Sequence, residues 1–259
     1  NVQVSIDLNM QSAAEDALAS TIADLVGITT LQYLDLSNNT IRNVSALSGM
    51  ISLKHLDLSY NALISLQDIQ NLQNLEYLDL SFNFLSTTAP VSALTGLTYL
   101  DVSSNNLMKL EGIGTLTQLQ HFAAAYNNLI DVNILKTCTI LKTLDVSHNT
   151  LLNIRVVAEL PLLEELNFSH NEVSRLPEFK SNCALRIIRG EYNMLSSLDQ
   201  LSVLKNLTHV YMDYNKLTSV DVLSECPRLM QVNVYGNEIK DVKALTAHDI
   251  IVHWNPPKS

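Results

Sequence analysis

The sequence predicts an α/β solenoid. One short strand per repeat stacks into a parallel sheet, and 3₁₀ turns or short helices return along the opposite side. Three observations predict it. A leucine or isoleucine recurs every 22 residues without interruption, at Leu31, Leu53, Leu75, Leu97, Leu119, Leu141, Leu163, Leu185, Leu207, Leu229 and Ile251. An asparagine keeps the same period from Asn39 through Asn61, Asn83 and Asn105 to Asn237. Apolar residues stand at positions 4 and 6 counted from that leucine, the alternation of a half-buried strand. A fixed period of about 20–29 residues marks units that bury their apolar faces only against one another.

Each element follows from the repeat. Position 4 runs Leu34, Leu56, Leu78, Leu100, Phe122, Leu144, and position 6 runs Leu36, Leu58, Leu80, Val102, Ala124, Val146, Phe168, Gly190. Position 11 is always Leu, Ile or Val, and positions 14 and 17 are almost always apolar, a spacing that suits a 3₁₀ turn or a short helix. The asparagine at position 9 is assigned to structure: a buried amide there satisfies backbone groups of its own turn and of the neighbouring repeat.

Residues 1–30 read as a cap, a longer zeroth repeat in which Val4-Ser5-Ile6-Asp7-Leu8 echoes the strand wording 28 residues before Leu36. Ser12 and Glu15 form a capping box, Ala14, Leu18, Ile22 and Leu25 mark one helical face, and Gly27 suits a C-terminal stop. Residues 31–250 hold ten repeats, and 251–259 begin a last strand that Pro256 and Pro257 end, with Trp254 expected to plug the core.

Composition excludes several classes. The longest apolar run is far too short to span a membrane, and no signal segment opens the chain. Residue 1 is Asn rather than Met, so a processed form is expected. Net charge is −10, and residues 1–108 carry ten acidic residues against two basic ones. That half repels nucleic acid and anionic lipid and favours a basic or neutral partner. Cys138, Cys183 and Cys226 lie two repeats apart, roughly 10 Å along a sheet, beyond disulfide reach. Reduced core thiols fit a cytoplasmic protein. No metal-ligand spacing and no phosphate loop occurs, so no cofactor, metal site or catalytic residue is expected.

Function is therefore sought on the sheet. Positions 3, 5 and 7 face away from the core, and position 8 borders them. All nine tyrosines occupy these positions. Candidate protein-binding residues in the first half are Tyr33, Asp35, His55, Asp57, Tyr77, Asp79, Tyr99 and Asp101. In the fifth repeat, His121 and Tyr126 rim a depression expected over Ala123, Ala124 and Ala125. Asp145 continues the aspartate row, which Asp7 would extend at the other end. A second patch holds Arg189, Glu191, Tyr211, Asp213, Tyr214 and Tyr235. Tyrosine is enriched at binding hot spots, but the same rings also serve to pack laterally on one another. The row of aspartates reads more readily as structural than as a dedicated site. Sequons at Asn38, Asn43, Asn167 and Asn206 are near chance, and a glycan at Asn167 would stand on the sheet.

The pattern resembles the leucine-rich repeat family, L-x-x-L-x-L-x-x-N-x-L, over residues 31–254, and its 22-residue length resembles the SDS22-like subclass with internalins as near relatives. The resemblance implies a right-handed solenoid whose sheet lines a concave side. It also implies a non-enzymatic scaffold that binds a folded domain or basic segment of another protein, as a monomer. Alternatives are a cell-surface adhesin of internalin type and a targeting module of a larger enzyme. SDS22-like proteins usually finish with a helical cap, so the native chain is expected to extend past Ser259.

Overall fold

A computed structural model describes residues 3–5 and 30–256. The cap helix expected within 12–27, Asp7 and Pro257 lie outside the described residues. Three-residue strands, one per repeat, fall in two compact units. Residues 1–129 hold β1 (Gln3–Ser5), β2 (Tyr33–Asp35), β3 (His55–Asp57), β4 (Tyr77–Asp79), β5 (Tyr99–Asp101) and β6 (His121–Ala123). Residues 130–259 hold β7 (Thr143–Asp145), β8 (Glu165–Asn167), β9 (Ile187–Arg189), β10 (His209–Tyr211), β11 (Gln231–Asn233) and β12 (Ile251–His253).

Within each unit the strands pair in parallel and in register. Tyr33 stands beside His55, His55 beside Tyr77 and Tyr77 beside Tyr99, so equivalent positions form rows. The uniform repeat length produces this, because a parallel ladder with no insertion has no reason to slip. At the first strand the register differs from expectation. Ser5, not Asp7, stands beside Asp35. The likeness between Ile6-Asp7-Leu8 and the strand wording misplaced the pairing by two residues.

The interior is built as the pattern requires. Positions 1, 4, 6 and 11 are buried in almost every repeat, as at Leu53, Leu56, Leu58 and Leu63. The asparagines tie the repeats together. Asn83 Nδ2 donates to the carbonyls of Leu58 (2.9 Å), Leu80 (3.1 Å) and Ser81 (3.1 Å), while its Oδ1 accepts the Leu63 amide at 2.9 Å. One side chain thereby satisfies backbone groups of two successive repeats, and the same bonds recur at Asn61, Asn171 and Asn215. Cys138, Cys183 and Cys226 are buried free thiols. Burial pushes the Cys226 thiol up to about 11, and its Sγ lies 3.4 Å from the Leu201 carbonyl.

Among the described residues most return segments are 3₁₀ turns, such as Ile69–Asn71 and Asn133–Thr137, with one short helix, α1 (Lys243–Thr246). The seventh repeat has no such turn over 174–182. Where the turn or short helix begins directly after position 14, that residue has ψ between 3° and 37°, as at Thr88, Val220 and Ile154. A proline disfavours compact backbone in the residue before it, so Pro177 works against that conformation at Leu176, and no 3₁₀ turn follows there. At the far end Val252 and Trp254 are only half-buried, so Trp254 is not the core plug expected of it.

Candidate protein-binding face

In residues 1–129, the strands place two rows side by side on the sheet. Position 3 is a column of aromatic rings. Tyr33 stacks on His55 at 4.1 Å between centroids, His55 on Tyr77 at 3.9 Å and Tyr77 on Tyr99 at 4.2 Å, all within about ten degrees of parallel. His121 follows at 6.4 Å, tilted by 36°. The spacing is close to the strand separation of about 4.8 Å, tightened as the rings lean together. The rings are half-buried and stand out of the sheet edge-on. Burial, with Tyr99 and Asp79 alongside, holds the Tyr77 hydroxyl well above its ordinary range, so that phenol stays a neutral donor. Burial also lowers His55, against the opposing pull of Asp57 and Asp35, which favours a neutral imidazole.

Position 5 is the carboxylate row Asp35, Asp57, Asp79 and Asp101. One oxygen of each has a local duty. Oδ1 accepts the backbone amide two residues on, at Ser37, Ser59 and Ser81 (2.9 Å) and Ser103 (2.7 Å). This Asx turn closes the strand, so the structural role of the row is confirmed in its geometry. The charge is a separate matter. Burial, opposed by the hydrogen bonds from Ser81 and helped by Asp101 and Asp57, pushes Asp79 up from 3.8 to about 6.

A pH dependence of stability follows. The folded chain binds the Asp79 proton more tightly than the unfolded chain does. This contribution therefore favours folding below the ordinary value of 3.8 and is lost as pH rises through about 6. Asp79→Asn keeps the Ser81 contact and removes the titration. Urea unfolding at intervals from pH 4 to 7 should show wild type losing stability relative to Asp79→Asn across that window, and parallel profiles would refute it.

Beyond the serines, position 8 turns the chain with left-handed backbone in every repeat, including φ 53° at Tyr60, 54° at Phe82 and 55° at Tyr214. For a residue with a Cβ this costs roughly 1–2 kcal/mol. Stacking offsets part of it, at about 0.5–1.5 kcal/mol per pair. Tyr60 lies on Phe82 at 4.1 Å, and in residues 130–259 a column runs His148, His170, Tyr192, Tyr214 at 4.0, 4.3 and 4.4 Å. Gly236 ends that run, and the Tyr214 ring occupies the space a Cβ would need, at 2.5 Å.

The fifth repeat does not present three open alanines. Ala124 is fully buried with Phe122, and Ala125 is 7% exposed, so only Ala123 lies on the face between His121 and the exposed Tyr126. Position 6 points inward whatever its residue, and the bulk of Phe122 goes to the core.

In residues 130–259 the candidates are engaged with one another. Asp145 accepts both the amide and the hydroxyl of Ser147, and its second oxygen accepts Asn167 Nδ2 at 2.9 Å. Glu191 hydrogen-bonds the Ser169 hydroxyl. The Arg189 guanidinium sits 4.3 Å over the Tyr211 ring. Asp213 accepts the Tyr235 amide at 2.6 Å, and burial raises its carboxyl. These contacts hold the patch in shape, with Tyr214 and Tyr235 left as its exposed rings. Among the described residues no cluster of His, Cys, Asp or Glu is arranged to hold a metal ion, and no helix is long and apolar enough to cross a membrane.

One feature escaped the reading of the sequence. Ile64, Phe84 and Met108 are 68%, 57% and 67% exposed, on the loop edge next to fully buried Leu63, Leu85 and Leu107. For Ile64 and Met108 the signal was present: position 12 carries Arg42, Ser86, Ser174 and Thr218 in other repeats but Ile64, Met108, Ile130 and Leu152 in four, while Phe84 stands at position 10 of its repeat.

Comparison with known proteins agrees with the geometry. A family model described as leucine-rich repeats in two copies matches residues 29–74 and 73–115. No curated protein sequence matches significantly. Among solved structures, the APL1 leucine-rich repeat domain superposes with a TM-score of 0.74 at 21% identity, over 98% of this chain and 87% of that one. Internalin inlF of Listeria monocytogenes gives 0.61 at 21% identity, over 91% and 83%. The functional domain of InlJ from the same organism gives 0.69 at 25% identity, over 88% of this chain but only 54% of its own. The chain carries leucine-rich repeats and shares the fold of these leucine-rich-repeat structures.

Proposed function

We propose that this chain is a non-enzymatic scaffold whose acidic, tyrosine-lined sheet face binds a partner protein. The observation that carries the reading is the pairing of rows on β2 to β5: ordered tyrosine and histidine edges beside four aspartates. Rings locked by stacking lose little entropy on binding and offer hydroxyls as donors, which suits a protein surface. The carboxylates steer a basic segment toward the face. A solved structure of the same fold, the plant peptide hormone receptor RGFR1, is in complex with RGF2, and this supports partner recognition as a use of such repeats.

The uninterrupted 22-residue period supports SDS22-like character. We place the protein in the cytoplasm, as a monomer that binds neither nucleic acid nor membrane. Three buried free thiols fit a reducing compartment, and both ends of the Asn167 amide are engaged, by Asp145 and Ser169, where a secreted chain would offer a glycan site. An internalin-like adhesin is the second reading, favoured by the structural match to inlF.

The test is a pulldown from native cytosol followed by affinity measurement on the captured partner. The variant Tyr77→Ala, Asp79→Asn, Tyr99→Ala, Asp101→Asn keeps the Asx turns and removes rings and charge. It should weaken binding by about 100-fold or more while circular dichroism stays unchanged. Undiminished affinity would remove the face from consideration.

A further inference from the structure

Beyond the sheet face, large apolar side chains are exposed on the loop edge. We propose that this edge in the first unit is a docking strip for the apolar side of a cationic amphipathic segment, whose Lys and Arg groups lie on the neighbouring aspartate row. The inference rests on the protein-binding reading of the face and names the chemistry of its partner.

The exposed apolar residues come from three successive repeats. Tyr60 and Phe82 stack at 4.1 Å. Phe84 follows two residues on, and its amide donates to the Leu63 carbonyl at 2.9 Å, which brings Phe84 beside Ile64. Met108 repeats the position of Ile64 two repeats later. These residues are not a displaced part of the core, because the leucine at position 11 already fills the interior in each of the three repeats with zero exposure. Large apolar side chains exposed on the same edge of neighbouring repeats mark an interaction surface.

Charge selects the occupant. Residues 1–108 carry ten acidic side chains and two basic ones, and one of the two, Lys54, is paired with Glu76 at 2.7 Å. A second copy of the chain would bring the same sign of charge, with −10 overall. Anionic lipid headgroups are repelled for the same reason. A segment with apolar residues on one side and Lys or Arg on the other matches both rows at once.

The test uses the whole chain and three synthetic helical peptides: Lys/Leu amphipathic, Glu/Leu of the same pattern, and Lys/Ser. The edge variant is Ile64→Ser, Phe84→Ser, Met108→Ser. Met108→Lys, at a solvent-facing position, replaces it if circular dichroism shows loss of fold. Fluorescence anisotropy should show that Lys/Leu binds wild type best, that the edge variant weakens it by on the order of tenfold, and that Lys/Ser and Glu/Leu bind at least tenfold more weakly than Lys/Leu. If the edge variant binds Lys/Leu as wild type does while the sheet-face variant loses it, the edge inference falls and the face reading stands. If both variants bind normally, both fall. Equal binding of Glu/Leu, binding of Lys/Ser as tight as Lys/Leu, binding to lipid vesicles in place of the peptide, or self-association of wild type that the edge variant abolishes would each overturn the proposal.

Discussion

Replacing Asn83 by alanine is expected to destabilise the chain by about 3 kcal/mol, more than any other conservative truncation in the position-9 row that is closer to solvent. Asn83 is 5% exposed. Its loss removes three donated bonds and leaves the Leu63 amide without the acceptor it has at 2.9 Å, in a place water does not reach. The Leu58, Leu80 and Ser81 carbonyls keep other donors, from Asn61, Asn105 and Tyr60, so their loss is partial. The orphaned amide therefore dominates, at about 1–3 kcal/mol. Asn237 is the control. It makes the same four bonds, to Met212, Val234, Tyr235 and from Leu217, but is half-exposed, so water replaces them and Asn237→Ala should cost about 1 kcal/mol. Urea unfolding of the two variants decides it. Equal losses would mean that burial is not what gives the asparagine row its value. A fall in the urea slope for Asn83→Ala alone would show the stack opening at that repeat, since each repeat depends on its neighbours.

Gly190→Ala should be the second large effect, at about 2 kcal/mol destabilising. Position 6 elsewhere holds a leucine, valine or other larger residue, yet a Cβ at Gly190 would stand 2.3 Å from Phe168 Cζ and 2.9 Å from Met212 Sδ. Phe168 is fully buried and has no free direction to move. Two effects favour alanine: reduced freedom of the unfolded chain, about 0.4–1 kcal/mol, and better strand propensity. The clash, at about 1–3 kcal/mol, outweighs them. Shortening the ring should reverse the sign. In the background Phe168→Leu, Gly190→Ala should become neutral or stabilising, a coupling that thermal or urea unfolding of the four-member cycle measures directly. Additive losses would show that the backbone, not the ring, demands glycine.

Much of this was readable from the chain. The period of the leucines set the strand rows, and the asparagines stated their own role, because a polar residue at a fixed buried position has to be bonded. Tyr77, Asp79, Tyr99 and Asp101 stand together on adjacent strands as their spacing required. Other features needed coordinates. That ring faces meet ring faces depends on side-chain torsions, which periodicity does not encode. The left-handed backbone at Tyr60 or His170 was hidden because no glycine announces it, Gly236 being the exception. The missing turn at Pro177 was readable in principle, since proline restricts the residue before it, but the apolar spacing of Leu176 and Phe179 matched the other repeats and masked it. The Asp145 carboxylate looked like one more member of a charged row, and only its Asn167 partner shows both oxygens already committed.

The column from Tyr33 to Tyr99 has a consequence for what kind of molecule it can recognise. Sugar rings and nucleobases are gripped when an aromatic side chain lies flat and offers its π cloud. Within this column both faces of His55 and of Tyr77 are covered by the rings beside them, so the outward groups there are C–H rims and ring heteroatoms. A surface of that kind selects by shape and by hydrogen bonds along a line, and it is indifferent to planar guests.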